Sequence, residues 1–510
     1  MITRRNFLSK ALAVGAVAPY LSMDALLANR YRANKLSYVS VIPDYGNASK
    51  IPVPEGHRVA FGYDYFSLDT SADGLVLRCP DLVSDFDGDA YLRLQVAIDT
   101  REEDEIEVYL NNTDRKIGHL SIWYPTGLQL FETKLDCDIT SIKKAGIRLK
   151  SNGTKPIFFL TSTTNNGSHM LLDDSKGVYE EERWINALCS YRSVQPFGWT
   201  EGCGLDGLQE LYARGKDKCA LKAIQQHLDL YLVDDQNLIY VDLKSRPQDN
   251  TFGNLEAGLP FAIIGQHRPH HASLNLFIDF CKARFDTNGN FIPESLSTEG
   301  CYTLAFPLAV LGRELKRPEL YELALLEIEQ RVAQLTDEEA VYNTWTKKEG
   351  KTDIRRNWGR GFVWFLLGIV KTVEILQQDR AYRETPRIVR LRETFQYYAN
   401  IALSHQQPDY SWCAYLDQPE TKFESSATAG LAAAFAHGHR MGWLPSFSGN
   451  QLRNIYQRLL DDLTSDGFLR SVTQRNAGSI ELLQKGTYRV IAQYALGFMA
   501  QIKVHLDQIN

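Results

Sequence analysis

Phe362-Val363-Trp364-Phe365-Leu366-Leu367-Gly368-Ile369-Val370 is apolar all the way round. A helix with no polar side is enclosed by other protein. Two more segments read the same way. Ser425–Ala436 (SSATAGLAAAFA) is almost entirely small residues, and Tyr494–Ala500 (YALGFMA) has no polar face. Outward from these, helical periodicity spans roughly 178–192, 200–214, 217–232, 254–267, 270–284, 298–314, 317–336, 358–376, 387–404, 425–440, 449–464 and 486–506. The odd members are often one-sided. Within 317–336, Leu320, Ala324, Ile328, Val332 and Leu335 form one stripe, with Glu322, Glu327 and Glu329 off it. Ile388, Leu391, Phe395, Tyr398 and Ala402 do the same within 387–404. One-sided and enclosed helices in strict alternation predict an (α/α)6 toroid.

The enclosed segments also open alike: Thr200-Glu201-Gly202-Cys203, Asn254-Leu255-Glu256-Ala257-Gly258, Thr298-Glu299-Gly300-Cys301 and Glu424-Ser425-Ser426. Each puts a carboxylate at a helix N-terminus. In a toroid these termini share one mouth, where carboxylates meet free backbone N–H groups.

Before about residue 165 the period is that of strands. Leu92, Leu94, Val96 and Ile98 alternate within 91–99, and Ile106, Val108 and Leu110 within 105–110. Ile147, Leu149 and 157–160 continue the pattern. Asp87-Gly88, Asn111-Asn112, Thr126-Gly127 and Asn152-Gly153 supply turns. This spacing predicts an antiparallel β-sandwich. The expected organisation is multidomain, β then α: a sandwich over 31–165 and a helical toroid over 175–510.

Residues 1–28 read as an export signal. Thr3-Arg4-Arg5-Asn6-Phe7-Leu8 carries a twin-arginine pair, followed by a weakly apolar run from Ala11 to Leu21 and small residues at Ala25 and Ala28. That run is too short for a membrane span. The expected location is the periplasm or another exported compartment. Formal charge is −6, and losing Arg4, Arg5, Lys10 and Asp24 with the signal leaves a chain near −8. Nucleic acid and stable membrane insertion are therefore not expected, whereas an acidic sugar needs only a local basic pocket. Eight scattered cysteines form no CxxC pair, so no metal site is expected, and no motif calls for a cofactor.

Several motifs carry a family resemblance. Asn357-Trp358-Gly359-Arg360-Gly361-Phe362-Val363-Trp364 resembles the W-A-R-G-N-G-W segment of unsaturated glucuronyl and rhamnogalacturonyl hydrolases, glycoside hydrolase families 88 and 105. Trp412, Asp417-Gln418-Pro419, Glu424-Ser425-Ser426-Ala427-Thr428-Ala429 and His439-Arg440-Met441-Gly442 follow in the family's order. Thr298-Glu299-Gly300-Cys301-Tyr302 with Pro307-Leu308 is similar to W-x-D-G-L-Y-M…P-F-L, which supplies the family's catalytic acid. The fold is shared with the family 154 β-glucuronidases. Three positions depart from the pattern. Glu299 stands for Asp, Gly253 occupies the second Asp position with Glu256 nearby, and Phe362-Val363 replaces Asn-Gly. The strand region resembles a family 6 carbohydrate-binding jelly roll through Glu105–Leu110, Ile117-Gly118, Thr126-Gly127, Phe131-Glu132-Thr133 and Gly146–Leu149, with Leu128 where a Trp often follows T-G.

The resemblance implies an exo-acting hydrolase that removes a uronate, saturated or 4,5-unsaturated, from an acidic polysaccharide or its oligosaccharides. Such chemistry needs a proton donor and a second carboxylate. Glu299 is the expected acid, with Glu256 and Glu201 competing for the second role. Arg360 is the expected partner of the uronate carboxylate. Trp358, Trp412, Trp199, Trp364, Glu424, Ser425 and Arg489 complete the expected substrate-binding set. A polysaccharide lyase and a non-catalytic glycan-binding protein are the alternative readings.

Overall fold

The computed structural model describes residues 36–46, 49–70, 73–83, 86–163, 166–175, 182–475 and 479–509. The expected signal, residues 1–28, lies outside the described residues.

The first third is antiparallel β-structure. Its strands are β1 (Leu36–Ser40), β2 (Ile42–Asp44), β3 (Tyr65–Leu68), β4 (Leu75–Arg78), β5 (Asp89–Gln95), β6 (Glu103–Leu110), β7 (Lys116–Trp123) and β8 (Leu130–Lys134). A short helix α1 (Ile139–Ala145) precedes β9 (Ile147–Ser151), β10 (Ile157–Leu160) and β11 (His169–Asp173). One sheet has the order β2-β4-β9-β6-β7 and another β1-β11-β5-β8, while β10 pairs with β3. β11 runs past the expected boundary at 165 and lies between β1 and β5. The expected alternation holds in β6, where Ile106 and Val108 are buried. In β5 both faces are buried, because Arg93 turns toward the helical region and Gln95 bonds to Leu128 and Gly167.

Among the described residues twelve α-helices follow, each overlapping a predicted segment. They are α2 (Glu182–Leu188), α3 (Trp199–Ala213), α4 (Lys218–Tyr231), α5 (Pro260–His267), α6 (Ser273–Lys282), α7 (Phe306–Glu314), α8 (Glu319–Leu335), α9 (Gly359–Leu376), α10 (Pro386–Ser404), α11 (Ser425–Arg440), α12 (Gly449–Leu460) and α13 (Ala495–Ile509). The apolar α9 and the small-residue α11 are buried along nearly their whole length, as enclosure requires. α8 buries Leu320, Ala324, Ile328 and Leu335 from its stripe, plus the ion-paired Glu327. α3, α5, α7, α9, α11 and α13 pack each on the next, and α13 packs back on α3. α4, α6, α8, α10 and α12 pack beside members of this series.

Three predicted helix starts differ, and the segment expected from 254 opens on a 3-10 turn, Leu255–Ala257, with α5 starting only at Pro260. The segment expected from 486 begins as a helix only at Ala495, because Val490–Ala492 pairs as a strand with Leu469–Val472. Arg489 therefore precedes that strand instead of opening a helix. The segment expected from 298 begins with a π-turn, Cys301–Ala305, before α7.

Close helix approach is built on glycine. A Cβ on Gly497 would lie 1.9 Å from the Cys203 carbonyl oxygen, and one on Gly207 would lie 2.4 Å from the Gly497 Cα. Backbone cannot yield as a flexible side chain can. Gly497→Ala is expected to lower stability by about 3 kcal/mol through overpacking of the α3–α13 joint. A thermal or denaturant melt with Gly442→Ala, a positive-φ site with open space around it, as the local-strain control checks this.

Candidate active site

A cavity of about 320 Å³ opens where the N-terminal ends of the enclosed helices come together. This volume is at the small end for ligand pockets. Trp199 opens α3, Glu256 lies on the turn before α5, Glu299 lies just before the π-turn of α7, and Trp358 caps α9 with Arg360 behind it. All five line the cavity, together with Trp364 from α9.

The two carboxylates differ in setting. Glu299 accepts a 2.7 Å hydrogen bond from the Ser297 hydroxyl. Glu256 faces the open space of the cavity, but the surrounding walls still limit its solvation. That enclosure, with the negative charge of Glu299 second, pushes its carboxyl up to about 7. Lys244 and Arg101 oppose the rise. Glu256 is therefore placed to hold a proton near neutral pH.

Arg360 is 3 % exposed and meets no carboxylate among the described residues. Its terminal nitrogens donate to the Thr473 carbonyl at 3.3 Å, Tyr494 Oη at 3.1 Å, the Gln474 carbonyl at 2.9 Å and Gln484 Oε1 at 2.9 Å. These neutral acceptors orient the guanidinium and leave its charge uncompensated, and Nε has no partner. Arg475 behaves similarly. It donates to Gln195 Oε1 at 2.9 Å and leaves Nε unpaired, and burial draws it down to about 10. A buried cation without a counter-ion is costly, so Arg360, with the half-buried Arg475 near it, makes the cavity favourable to an anion.

The aromatic residues are tied up with one another. The Arg360 and Arg355 guanidinium carbons lie 4.8 Å and 5.2 Å from the Trp358 ring centre. Trp199 packs edge-on against Trp364 at 5.3 Å and Tyr494 at 4.8 Å. Trp364 also stacks with Tyr302 at 6.2 Å.

Five expected residues lie outside the cavity lining. Glu201 is buried, accepting the Gln195 N–H at 2.8 Å and facing His227 Nδ1 at 2.9 Å, so it secures the entry to α3. Trp412 is fully buried and donates to the Ala402 carbonyl at 2.7 Å. Glu424 caps α11 by accepting the Ala427 N–H, and it accepts the Thr473 N–H at 2.9 Å. The Ser425 hydroxyl donates to the Arg470 carbonyl. Arg489 serves backbone carbonyls of Thr421, Phe423, Gly486 and Tyr488. In each case a polar side chain at a helix end or in a connecting segment satisfies backbone groups, which the sequence pattern cannot distinguish from a ligand contact.

Sequence reasoning missed Arg101, Asp242, Lys244, Arg246, Asn254, Arg355, Arg475 and Gln484, which also line the cavity. Only Asn254, inside a quoted helix opening, and Arg355, two residues before the quoted Asn357, had a signal. Arg246 is neutralised by Asp242 at 2.7 Å. Among the described residues no cluster of three or more His, Cys, Asp or Glu could hold a metal ion.

Removing the charge of Glu299 removes one of the three causes that raise Glu256, burial and Asp242 being the others. Glu299→Gln is expected to bring the Glu256 titration midpoint down from about 7 toward the ordinary carboxylate range. Carbon-13 NMR of the glutamate carboxyls reads this directly. A raised folded-state pKa also means that wild-type stability is full below the unfolded value and is lost as pH rises through about 7. Glu256→Gln is expected to escape that alkaline loss in a series of thermal melts.

Among solved structures, the chain is similar to a possible member of the GH105 family from Klebsiella pneumoniae, with 17% identity and a TM-score of 0.52 over 62% of this chain and 83% of that one. A possible GH105 member from Salmonella enterica matches at 18% identity and a TM-score of 0.51, over 62% and 84%. A family 105 glycoside hydrolase from C. acetobutylicum matches at 17% identity and a TM-score of 0.51, over 62% and 95%. These likenesses concern the fold. No curated protein sequence matches the chain. Residues 178–507 match the model for Glycosyl Hydrolase Family 88, and the chain belongs to that family.

Proposed function

We propose that this protein is an exported, exo-acting glycoside hydrolase that removes a terminal uronate, saturated or 4,5-unsaturated, from an acidic oligosaccharide or polysaccharide. The observation that carries the reading is one small cavity holding Glu256 and Glu299 beside two guanidiniums, Arg360 and Arg475, that have no carboxylate partner among the described residues. Family membership supports it. The unbroken circuit of six enclosed helices supports reading the helical region as an (α/α)6 toroid, and the two larger antiparallel sheets support a jelly-roll-like sandwich. The twin-arginine N-terminus supports export to the periplasm or beyond.

In this reading Arg475, which keeps a free hydrogen on each terminal nitrogen, donates to the uronate carboxylate and fixes the ring, and Arg360, whose four terminal hydrogens go to protein oxygens, adds its charge. Glu256 carries the proton and Glu299 activates water, which exchanges the roles that the family resemblance implies. With a saturated uronide, Glu256 protonates the glycosidic oxygen, and water that gives its proton to Glu299 attacks the anomeric carbon. With a 4,5-unsaturated uronide, Glu256 protonates C4, and water activated by Glu299 adds at C5. The resulting hemiketal opens and releases the remaining sugar. Both routes use the same donor and the same base.

The test uses two substrates: an unsaturated uronyl disaccharide, followed by loss of ultraviolet absorbance, and a saturated β-glucuronide, followed by sugar release. Turnover of at least one is expected. Glu256→Gln and Glu299→Gln are each expected to lower kcat by about 10²-fold or more. Arg360→Ala is expected to act mainly on kcat/KM. Failure of the wild-type protein on both substrates, or unchanged turnover in both glutamine variants, would overturn the reading.

A further inference from the structure

The strand region does more than sit beside the helices. Ser245, in the α4–α5 connection, is 1 % exposed, although it lies between the cavity-lining Lys244 and Arg246. Its hydroxyl oxygen accepts the Asp99 N–H at 2.8 Å, and its carbonyl accepts the Arg58 N–H at 2.9 Å. Arg58 reaches on to the Tyr240 carbonyl at 2.8 Å and to both carboxylate oxygens of Asp249 at 2.6 Å. Two strand-region segments thus grip the loop that walls the cavity.

One of these segments also enters the cavity. Arg101, two residues after Asp99, lines it. Asp99 is buried, accepts the Arg101 N–H at 2.9 Å and faces Arg101 Nε at 2.8 Å. Arg101 itself has a left-handed φ of 54°, a conformation that a side chain tolerates only when its surroundings hold it. Asp99 faces the Nε edge, and among the described residues no hydrogen bond takes up the terminal amino groups. Lys244, also in the lining, makes no ion pair among the described residues. These cations come from other elements than Arg360 and Arg475, which share Tyr494 and the segment after Val472.

We infer that the strand region completes the substrate site, and that Arg101, with Lys244, binds a second oxyanion, a carboxylate or a sulfate ester, on the sugar ring adjoining the uronate that is cleaved. Arg101 presents the paired donors that planar or tetrahedral oxyanions accept. The inference rests on the uronyl-hydrolase reading and adds to it a specificity-determining residue from outside the helical region.

Three uronyl disaccharides test it, whose second ring is neutral, carboxylated or sulfated. Wild type is expected to show a lower KM for at least one anionic disaccharide than for the neutral one, and which of the two identifies the oxyanion. Arg101→Ala is expected to raise that KM about tenfold and the KM of the neutral disaccharide by no more than about twofold, while any change in kcat that comes through Glu256 is common to all three. Arg101→Lys is expected to recover part of the loss. Calorimetric binding of the same three to Glu299→Gln, with and without Arg101→Ala, reads the contact without turnover, and a thermal melt checks the fold. Equal losses on all three disaccharides, or no change on any, would overturn this inference alone. A wild-type protein that neither cleaves nor binds any of them would overturn the parent reading and this one with it.

Discussion

The structure depends on how closely the enclosed helices approach one another. Where Gly207 meets Gly497 there is no room for a methyl group, and a Cβ on Gly368 would lie 2.3 Å from the Cys301 carbonyl carbon. Close joints draw the N-terminal ends of α3, α5, α7 and α9 toward one another. The loops and caps at those ends then have to share one space, and that shared space is the cavity. The small residues of α11 and the apolar girth of α9 are the same constraint seen from the sequence: an enclosed helix can carry neither bulk nor water-seeking groups on any side.

Charge is handled in opposite ways along the bundle. Deeper along the helices, Lys371 is buried against Asp206 at 2.8 Å and Glu210 at 3.2 Å, and His437 meets Glu374 at 2.9 Å. Each buried charge there has its partner, as burial demands. At the cavity the pattern is broken. Arg360 and Arg475 are held by neutral oxygens, and Glu256 and Glu299 press like charges into one enclosure.

The strand region belongs to the same body. Arg93 of β5 is fully buried between Glu132 and Asp466, joining the two regions by ion pairs away from water. Trp123 stacks on Tyr488 at 4.4 Å, and Gln493 donates to the Leu128 carbonyl at 2.7 Å. The second face of β5 is buried for this reason. The apolar core likewise runs without a break from the strands into the helices.

Period alone determined that strands precede twelve helices, and which helices are enclosed, because burial imposes a local repeat on the residues it selects. The carboxylates at helix starts were legible too: Glu256 and Glu299 line the cavity, and their spacing from the apolar runs placed them at N-terminal ends. Which helix-start carboxylates face a ligand was not legible. Glu201 and Glu424 carry the same local signature but turn back onto their own backbone, and only packing decides between the two orientations. Arg101, Lys244 and Arg475 left no trace in the pattern, since each reaches the cavity from an irregular segment. Their position follows from contacts between residues far apart in the chain, such as Ser245 with Asp99, and long-range closure of that kind has no period for a sequence to display.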